Sequence, residues 1–108
     1  LAAIPTRYEV EAVPAYPPVL EDIAVIVDDE IPAEKVESCI WAAGGKTLQS
    51  VRLFDVYRGE QIGAGKKSLA YSLTYQATDR TLTDQEAAQM RQRIVRRLEQ
   101  ELGARLRS

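Results

Sequence analysis

The sequence predicts a small α+β domain in which two helices cover one face of an antiparallel sheet and the other face stays open. Two observations predict this fold class. The apolar residues alternate in some segments, as in strands, and recur every three or four positions in others, as in helices, in the order βαββαβ. The chain has 108 residues, which is the size of one domain with one modest core.

The N-terminal segment differs from the rest of the chain. Residues 1–15 show no sustained apolar period, so we expect an extended lead-in there and the compact domain at residues 16–108. The sequence begins with Leu1 and its only methionine is Met90, from which we expect a piece of a longer protein.

A strand and a helix open the predicted domain. Ile23–Val27 is a short apolar run rich in β-branched residues between acidic residues, which predicts a buried strand. Pro32 suits the first turn of a helix, and Gly44-Gly45 ends that helix. The apolar side of the helix consists of Val36, Cys39, Ile40 and Ala43.

Two further strands follow, joined by a loop that contains glycine. Leu48–Arg58 predicts the second strand, Gln61–Gly65 the loop and Lys67–Gln76 the third strand. One side of the third strand is large and apolar, with Leu69, Tyr71, Leu73 and Tyr75. The other side is small and allows a flat ligand to approach the backbone, with Ser68, Ala70, Ser72 and Thr74.

The last predicted helix carries clear signals at both ends. Thr83 is followed three residues later by Glu86, which is a capping box, and Gly103 ends the helix. Ala104–Arg107 is long enough only for a short final strand. The apolar stripe of the helix consists of Ala87, Met90, Ile94, Leu98 and Leu102.

The net charge of −2 conceals an asymmetry between the two parts of the chain. Residues 1–37 carry nine acidic and two basic side chains, whereas residues 38–108 carry seven acidic and twelve basic ones. The acidic total argues against indiscriminate binding of nucleic acid, while the split permits a local basic surface that follows a phosphate backbone. Ordinary solvated charge is the alternative interpretation.

The composition excludes several classes of function. The chain has no histidine and only one cysteine, Cys39, which excludes histidine-based catalysis, a zinc site and an internal disulfide. We expect no catalytic residue and no metal site in this chain. The string GAGKKS is not a phosphate-binding loop, because Lys67 replaces the required Ser or Thr and Glu60 replaces the first Gly. No apolar run approaches the ~20 residues of a membrane span, so we expect a cytoplasmic protein without a membrane partner.

The open face of the sheet is where we expect function. In the second strand Asp55 and Tyr57 share one side, opposite to Phe54 and Val56, which are better suited to face the helices. We therefore place Asp55 on the open face. Two apolar residues have the same parity as Asp55, so a bulge would change this assignment: Val51 and Leu53.

Three motifs follow YPP…DIAVIV in a distinctive order and spacing, namely FDVYRG, GKKSLAYSLTY and RTLTDQE. They resemble the ferredoxin-fold anticodon-binding domain at the C-terminus of the bacterial phenylalanyl-tRNA synthetase β subunit. The resemblance runs from Tyr16 to Ser108. It implies a ferredoxin-like two-layer βαββαβ sandwich that binds the anticodon region of phenylalanine tRNA.

The resemblance also implies how the work of the parent enzyme is divided. Aminoacylation, with ATP and magnesium, would belong to an active site in the α subunit of the parent phenylalanine–tRNA ligase. This chain by itself would then be a tRNA-binding module in protein biosynthesis, without a cofactor and without enzymatic activity. Its partners would be phenylalanine tRNA, the rest of the β subunit and the α subunit of a heterotetramer.

The resemblance carries over four anticodon-binding positions, which fall on Ala24, Asp55, Tyr57 and Ser68. A carboxylate only accepts hydrogen bonds, so Asp55 can take the N1–H and N2–H of guanine, and Tyr57 offers a ring for stacking. Weaker phosphate contacts are expected from the basic residues that border the open face, namely Arg52, Arg58, Lys66, Lys67 and Arg80. The family commonly has Arg where this chain has Glu21, which puts the contact of that arginine in doubt.

Three alternatives stay open at this point. Asp55 can be a structural residue that is bonded to nearby backbone or to Arg58. The domain can also be a regulatory small-molecule-binding domain, since one fold serves many functions. A structural interaction domain that uses Trp41 and the exposed sheet is the third alternative.

Overall fold

A computed structural model describes residues 16–107, so the predicted lead-in at residues 1–15 lies outside the described part. The elements confirm the predicted βαββαβ order. They are β1 (Val19–Asp28), α1 (Ala33–Gly44), β2 (Leu48–Tyr57), β3 (Lys66–Tyr75), α2 (Asp84–Leu102) and β4 (Arg105–Leu106), with a 3₁₀ turn at Glu60–Ile62.

The four strands form one antiparallel sheet in the order β2-β3-β1-β4. Both central strands bury alternate residues against the helices, and these residues and the apolar sides of α1 and α2 form one core. The contributions of β1 and β3 to this core are Ile23, Val25, Val27, Leu69, Tyr71, Leu73 and Tyr75. The result is the ferredoxin-like two-layer sandwich, with both helices on one side of the sheet.

The helix ends follow the local sequence signals. Thr83 accepts a hydrogen bond from the Glu86 backbone N–H and Glu86 bonds back to the Thr83 N–H, so the capping box is confirmed. Gly103 ends α2 with a left-handed φ of 65°. Pro32 lies at the N-cap of α1, one residue before the helix begins. Neither helix of residues 16–107 is long and apolar enough to cross a membrane.

A β-bulge in β2 decides which residues face the helices. Leu53 pairs with Tyr71 and Asp55 pairs with Ala70, so Phe54 has no partner in β3. Val51 and Leu53 therefore pack against the core although they have the same parity as Asp55. The expectation that Phe54 faces the helices is corrected, because it is the extra residue of the bulge and is 47% exposed.

Candidate nucleic-acid interface

Two neighbouring rows of the open face contain the four predicted anticodon-binding residues. In one row Asp55 pairs with Ala70, which pairs with Ala24 of β1. In the next row Tyr57 pairs with Ser68. Adjacent strands lie about 4.8 Å apart, so the four residues occupy a patch about 10 Å wide. We call Ala24, Asp55, Tyr57 and Ser68 the open-face patch.

The floor of the open-face patch consists of small side chains. Ala24 and Ala70 lie side by side in the two central strands, and Ser68 lies one row away. None of them projects far above the sheet, so a flat ring can come close to the backbone. Asp55 is exposed and Tyr57 is half-buried at the edge of this floor.

Asp55 has a free carboxylate in the described part of the chain. None of residues 16–107 donates a hydrogen bond to its side chain or forms an ion pair with it within this range. Arg58, the partner that a structural role would use, instead donates to Asp29 with an Nε–Oδ1 distance of 2.7 Å. This arrangement favours a role for the Asp55 carboxylate as a hydrogen-bond acceptor for a ligand over a structural role in β2.

The ring of Tyr57 is positioned by the loop that follows β2. Its hydroxyl donates to Oε1 of Gln61 at 3.2 Å. A Cβ on Gly59 would lie 2.6 Å from the Tyr57 hydroxyl oxygen. The φ of Gly59 is 178°, an extended value that any residue adopts, so the glycine is needed here for space.

Two of the five predicted phosphate contacts lie beside the patch and are already paired. Arg58 forms the ion pair with Asp29, and Lys66 forms one with Asp28 at 2.5 Å. A groove of about 520 Å³ is lined by Arg58, Lys66 and the glycine-rich loop between β2 and β3. This loop joins two strands, whereas a phosphate-binding loop of the GxxxxGK(S/T) type joins a strand to a helix.

The other three predicted phosphate contacts are distributed differently. Arg52 pairs with Ser72 and lies on the open face. Lys67 was expected to border this face, but it pairs with Val27 in a core-facing row and is 7% exposed. β3 ends at Tyr75, which is seven residues or about 23 Å along the strand from Ser68. Arg80 lies beyond that end and pairs with Glu86. Neither Lys67 nor Arg80 therefore borders the open-face patch.

Glu21 faces the helices and is separate from the open-face patch. It pairs with Leu73 across the β1–β3 ladder, and its Oε2 accepts from Nη1 of Arg91 in α2 at 2.9 Å. Burial, followed by the negative charge of Glu21, raises the pKa of the Tyr75 hydroxyl above its ordinary value. In this chain Glu21 therefore links β1 to α2 through its ion pair with Arg91.

Residues 14–107 match the family model described as "Ferredoxin-fold anticodon binding domain". The chain belongs to this family. As a ferredoxin-fold anticodon-binding domain, it has an open sheet face with the motif-bearing residues on adjacent rows.

The relatives of this domain that we compared are much longer proteins. The chain is 50% identical over 106 residues to the phenylalanine–tRNA ligase β subunit of Clostridium tetani, covering 98% of this chain and 13% of that protein. It is 45% identical over 108 residues to that of Cutibacterium acnes, covering 100% and 13%. It is 51% identical over 96 residues to that of Symbiobacterium thermophilum, covering 89% and 11%. The chain spans only a small part of each relative.

One further residue of the anticodon-binding domain, Arg107, lies on this face and is not among the residues that the sequence predicts there. The guanidinium carbon of Arg107 lies 5.0 Å from the centre of the Tyr57 ring. The Arg107 backbone N–H donates to the carbonyl oxygen of Ala24 at 2.7 Å, which extends the β1–β4 pairing by one residue. The alternation of Arg105, Leu106 and Arg107 was the available signal, because it places the two arginines on the same side of a strand.

Proposed function

We propose that this chain is a tRNA-binding module that recognises the anticodon region of phenylalanine tRNA and thereby supports aminoacylation. The observation that carries the proposal is the open-face patch, in which the free carboxylate of Asp55 and the ring of Tyr57 flank a floor of small residues. Family membership supports the same assignment.

The chemistry of the open-face patch suits an unstacked base. RNA sequence is read mainly on single-stranded bases, which stack on aromatic rings and expose their edges to hydrogen-bonding groups. Tyr57 supplies the ring. Asp55 accepts from two adjacent N–H groups, and guanine presents such a pair at N1 and N2. The small residues below allow the base to lie flat on the sheet.

The longer protein that we propose around this domain is a phenylalanine–tRNA ligase β subunit, the name that its relatives carry. Aminoacylation with ATP and magnesium would take place in other parts of that cytoplasmic enzyme, and the α subunit would be a partner. Trp41 of α1, which is 40% exposed, is available to a neighbouring part of the assembly. The family assignment favours RNA binding over regulation by a small molecule.

A direct binding measurement tests the proposal. The anticodon stem-loop of a phenylalanine tRNA is titrated with the chain at fixed salt, and fluorescence anisotropy of a 5′ label reports binding. The control is a hairpin with the same stem and a loop of uracil only. We expect saturable binding that is tighter for the anticodon loop. Equal affinity for both hairpins, or no saturable binding of either, would contradict the proposal.

A further inference from the structure

The contact between Arg107 and Tyr57 spans most of the sheet. Tyr57 ends β2 at one edge, and Arg107 follows β4 at the other edge. Their strands are three spacings apart, which is about 14 Å. A separation of 5.0 Å between guanidinium and ring therefore requires both side chains to lean inwards, across β3 and β1.

The space that these side chains cross is the floor of the open-face patch. Arg107 starts beside Ala24 and reaches toward Tyr57, whose partner is Ser68. Ser68 is only 3% exposed, although no helix or strand of residues 16–107 covers this face of the sheet. The Tyr57–Arg107 contact lies on this same face of the sheet, because Tyr57 pairs with Ser68 and Arg107 lies beside Ala24.

The guanidinium of Arg107 has no carboxylate partner among the described residues. Arg58, Arg91 and Arg97 each form an ion pair. The guanidinium of Arg107 instead lies over an aromatic ring. Its plane and its charge therefore remain available to a ligand that enters the patch.

We propose that Arg107 is a further RNA-contacting residue, whose guanidinium stacks on one face of the base that Tyr57 holds on the other. This inference rests on the proposed function. A guanidinium plane stacks on unpaired bases as aromatic rings do. We call the space between the Arg107 guanidinium and the Tyr57 ring the stacking site. Without RNA the two groups contact each other, and the stacking site is closed.

Opening the stacking site requires only a movement of the Arg107 side chain. A base between two flat groups needs two stacking distances of about 3.4 Å, or about 7 Å in all, against the 5.0 Å observed. The guanidinium must therefore retreat by about 2 Å. The Arg107 backbone is bonded to Ala24, so rotation about the side-chain bonds supplies this movement while β4 stays in place.

Three variants separate stacking from charge. The stem-loop titration described above is repeated with Arg107→Ala, Arg107→Lys and the matched control Arg105→Lys. Arg105 lies in the same strand and pairs with Ile26, but it has no ring beneath it in the described structure. We expect Arg107→Ala to weaken binding about fivefold, equally for loops with guanine or adenine at the first anticodon position.

The lysine variants decide between the mechanisms. Arg107→Lys keeps the charge and loses the planar guanidinium. We therefore expect it to recover less than half of the affinity that Arg107→Ala loses, measured on a logarithmic scale. Arg105→Lys should bind as the wild type does. Wild-type affinity of Arg107→Lys would make Arg107 a point charge for phosphate and overturn the inference. Tighter binding by Arg107→Ala would show that the side chain only blocks the ring, and would also overturn it.

Nuclear magnetic resonance supplies a second measurement that needs no comparison of affinities. The Nε–H of Arg107 should carry a ring-current shift in the free protein that Tyr57→Leu removes. On addition of the stem-loop, cross-peaks should appear between the Arg107 side chain and base protons. Their absence from a saturated complex overturns the inference alone, whereas failure of the wild-type chain to bind overturns the proposed function as well.

Discussion

Leu53 and Asp55 are two residues apart in β2 and yet face opposite sides of the sheet, because Phe54 is the extra residue of a bulge. The bulge allows one strand to serve two purposes. Leu53 packs against the core, while Asp55 presents its carboxylate on the open face. A regular strand would bury both residues or expose both.

The first prediction concerns the specificity of Asp55. Asp55→Asn keeps the shape of the side chain but replaces one acceptor oxygen with a donor that faces the donors of guanine. We expect a loss of about 1–3 kcal/mol in binding free energy for a loop with guanine at the first anticodon position, and a smaller loss with adenine. Equal losses for the two loops, with the fold intact by circular dichroism, would make Asp55 a structural residue.

The second prediction concerns Tyr57, which acts through its ring. Tyr57→Leu removes a stacking surface worth about 1–3 kcal/mol per base, so binding should weaken to a similar extent whichever base the loop carries. The same pair of loops and the same titration measure this. A loss confined to the guanine loop would assign base selection to the Tyr57 hydroxyl instead of stacking to its ring.

The third prediction uses two adjacent lysines that face opposite sides of the sheet. Lys66 lies beside the open-face patch, whereas Lys67 is buried in a core-facing row. For single strands each neutralised phosphate contributes about 0.7 to the log–log salt slope. Lys66→Met should therefore flatten the slope, and Lys67→Met should leave it unchanged. The reverse result would place the phosphate path on the helical side.

The fourth prediction separates two glycines by what an added methyl group would meet. At Gly59 it would meet the Tyr57 hydroxyl, which ends a movable side chain, so Gly59→Ala should shift the ring and weaken RNA binding with little change in stability. At Gly44 it would lie 2.8 Å from Cβ of Leu48 in the core. Gly44→Ala should therefore lower the free energy of unfolding by about 1–3 kcal/mol.

Urea denaturation and the stem-loop titration test both glycine variants together. Gly44→Ala should lower the free energy of unfolding, whereas Gly59→Ala should lower the affinity for RNA. If Gly59→Ala binds RNA as well as the wild type does, the position of the Tyr57 ring is not held by that glycine.

The fifth prediction concerns the start of α2 and its dependence on pH. The side-chain bond from Arg80, followed by the backbone N–H of Thr83, lowers the pKa of Glu86 below its usual 4.5. A lowered pKa in the folded state stabilises the protein above pH 4.5, and this contribution is lost as the pH falls through the folded value. Glu86→Gln should be less stable than the wild type at pH 7, and the difference should shrink below pH 4.5. A difference that is constant with pH would contradict this origin.

Elements with local signals were predictable from the amino-acid pattern. The strict alternation of β3 separated its core side from its open side, because side chains of a strand point to its two faces in turn. The capping box at Thr83 and the left-handed Gly103 marked the ends of α2, because these signals act within one helical turn. The shared open face of Tyr57 and Ser68 was also predicted from alternation, whereas their pairing came from the strand ladders.

Tertiary structure decided what local parity left open. Parity upstream and downstream of Phe54 disagreed, and only pairing with β3 showed where the bulge lies. Lys67 resembles its neighbour Lys66 in sequence, but the ladder to β1 turns it toward the core. Arg107 meets Tyr57 across three strand spacings, a distance that no local pattern encodes, because it depends on which strands form the two edges of the sheet.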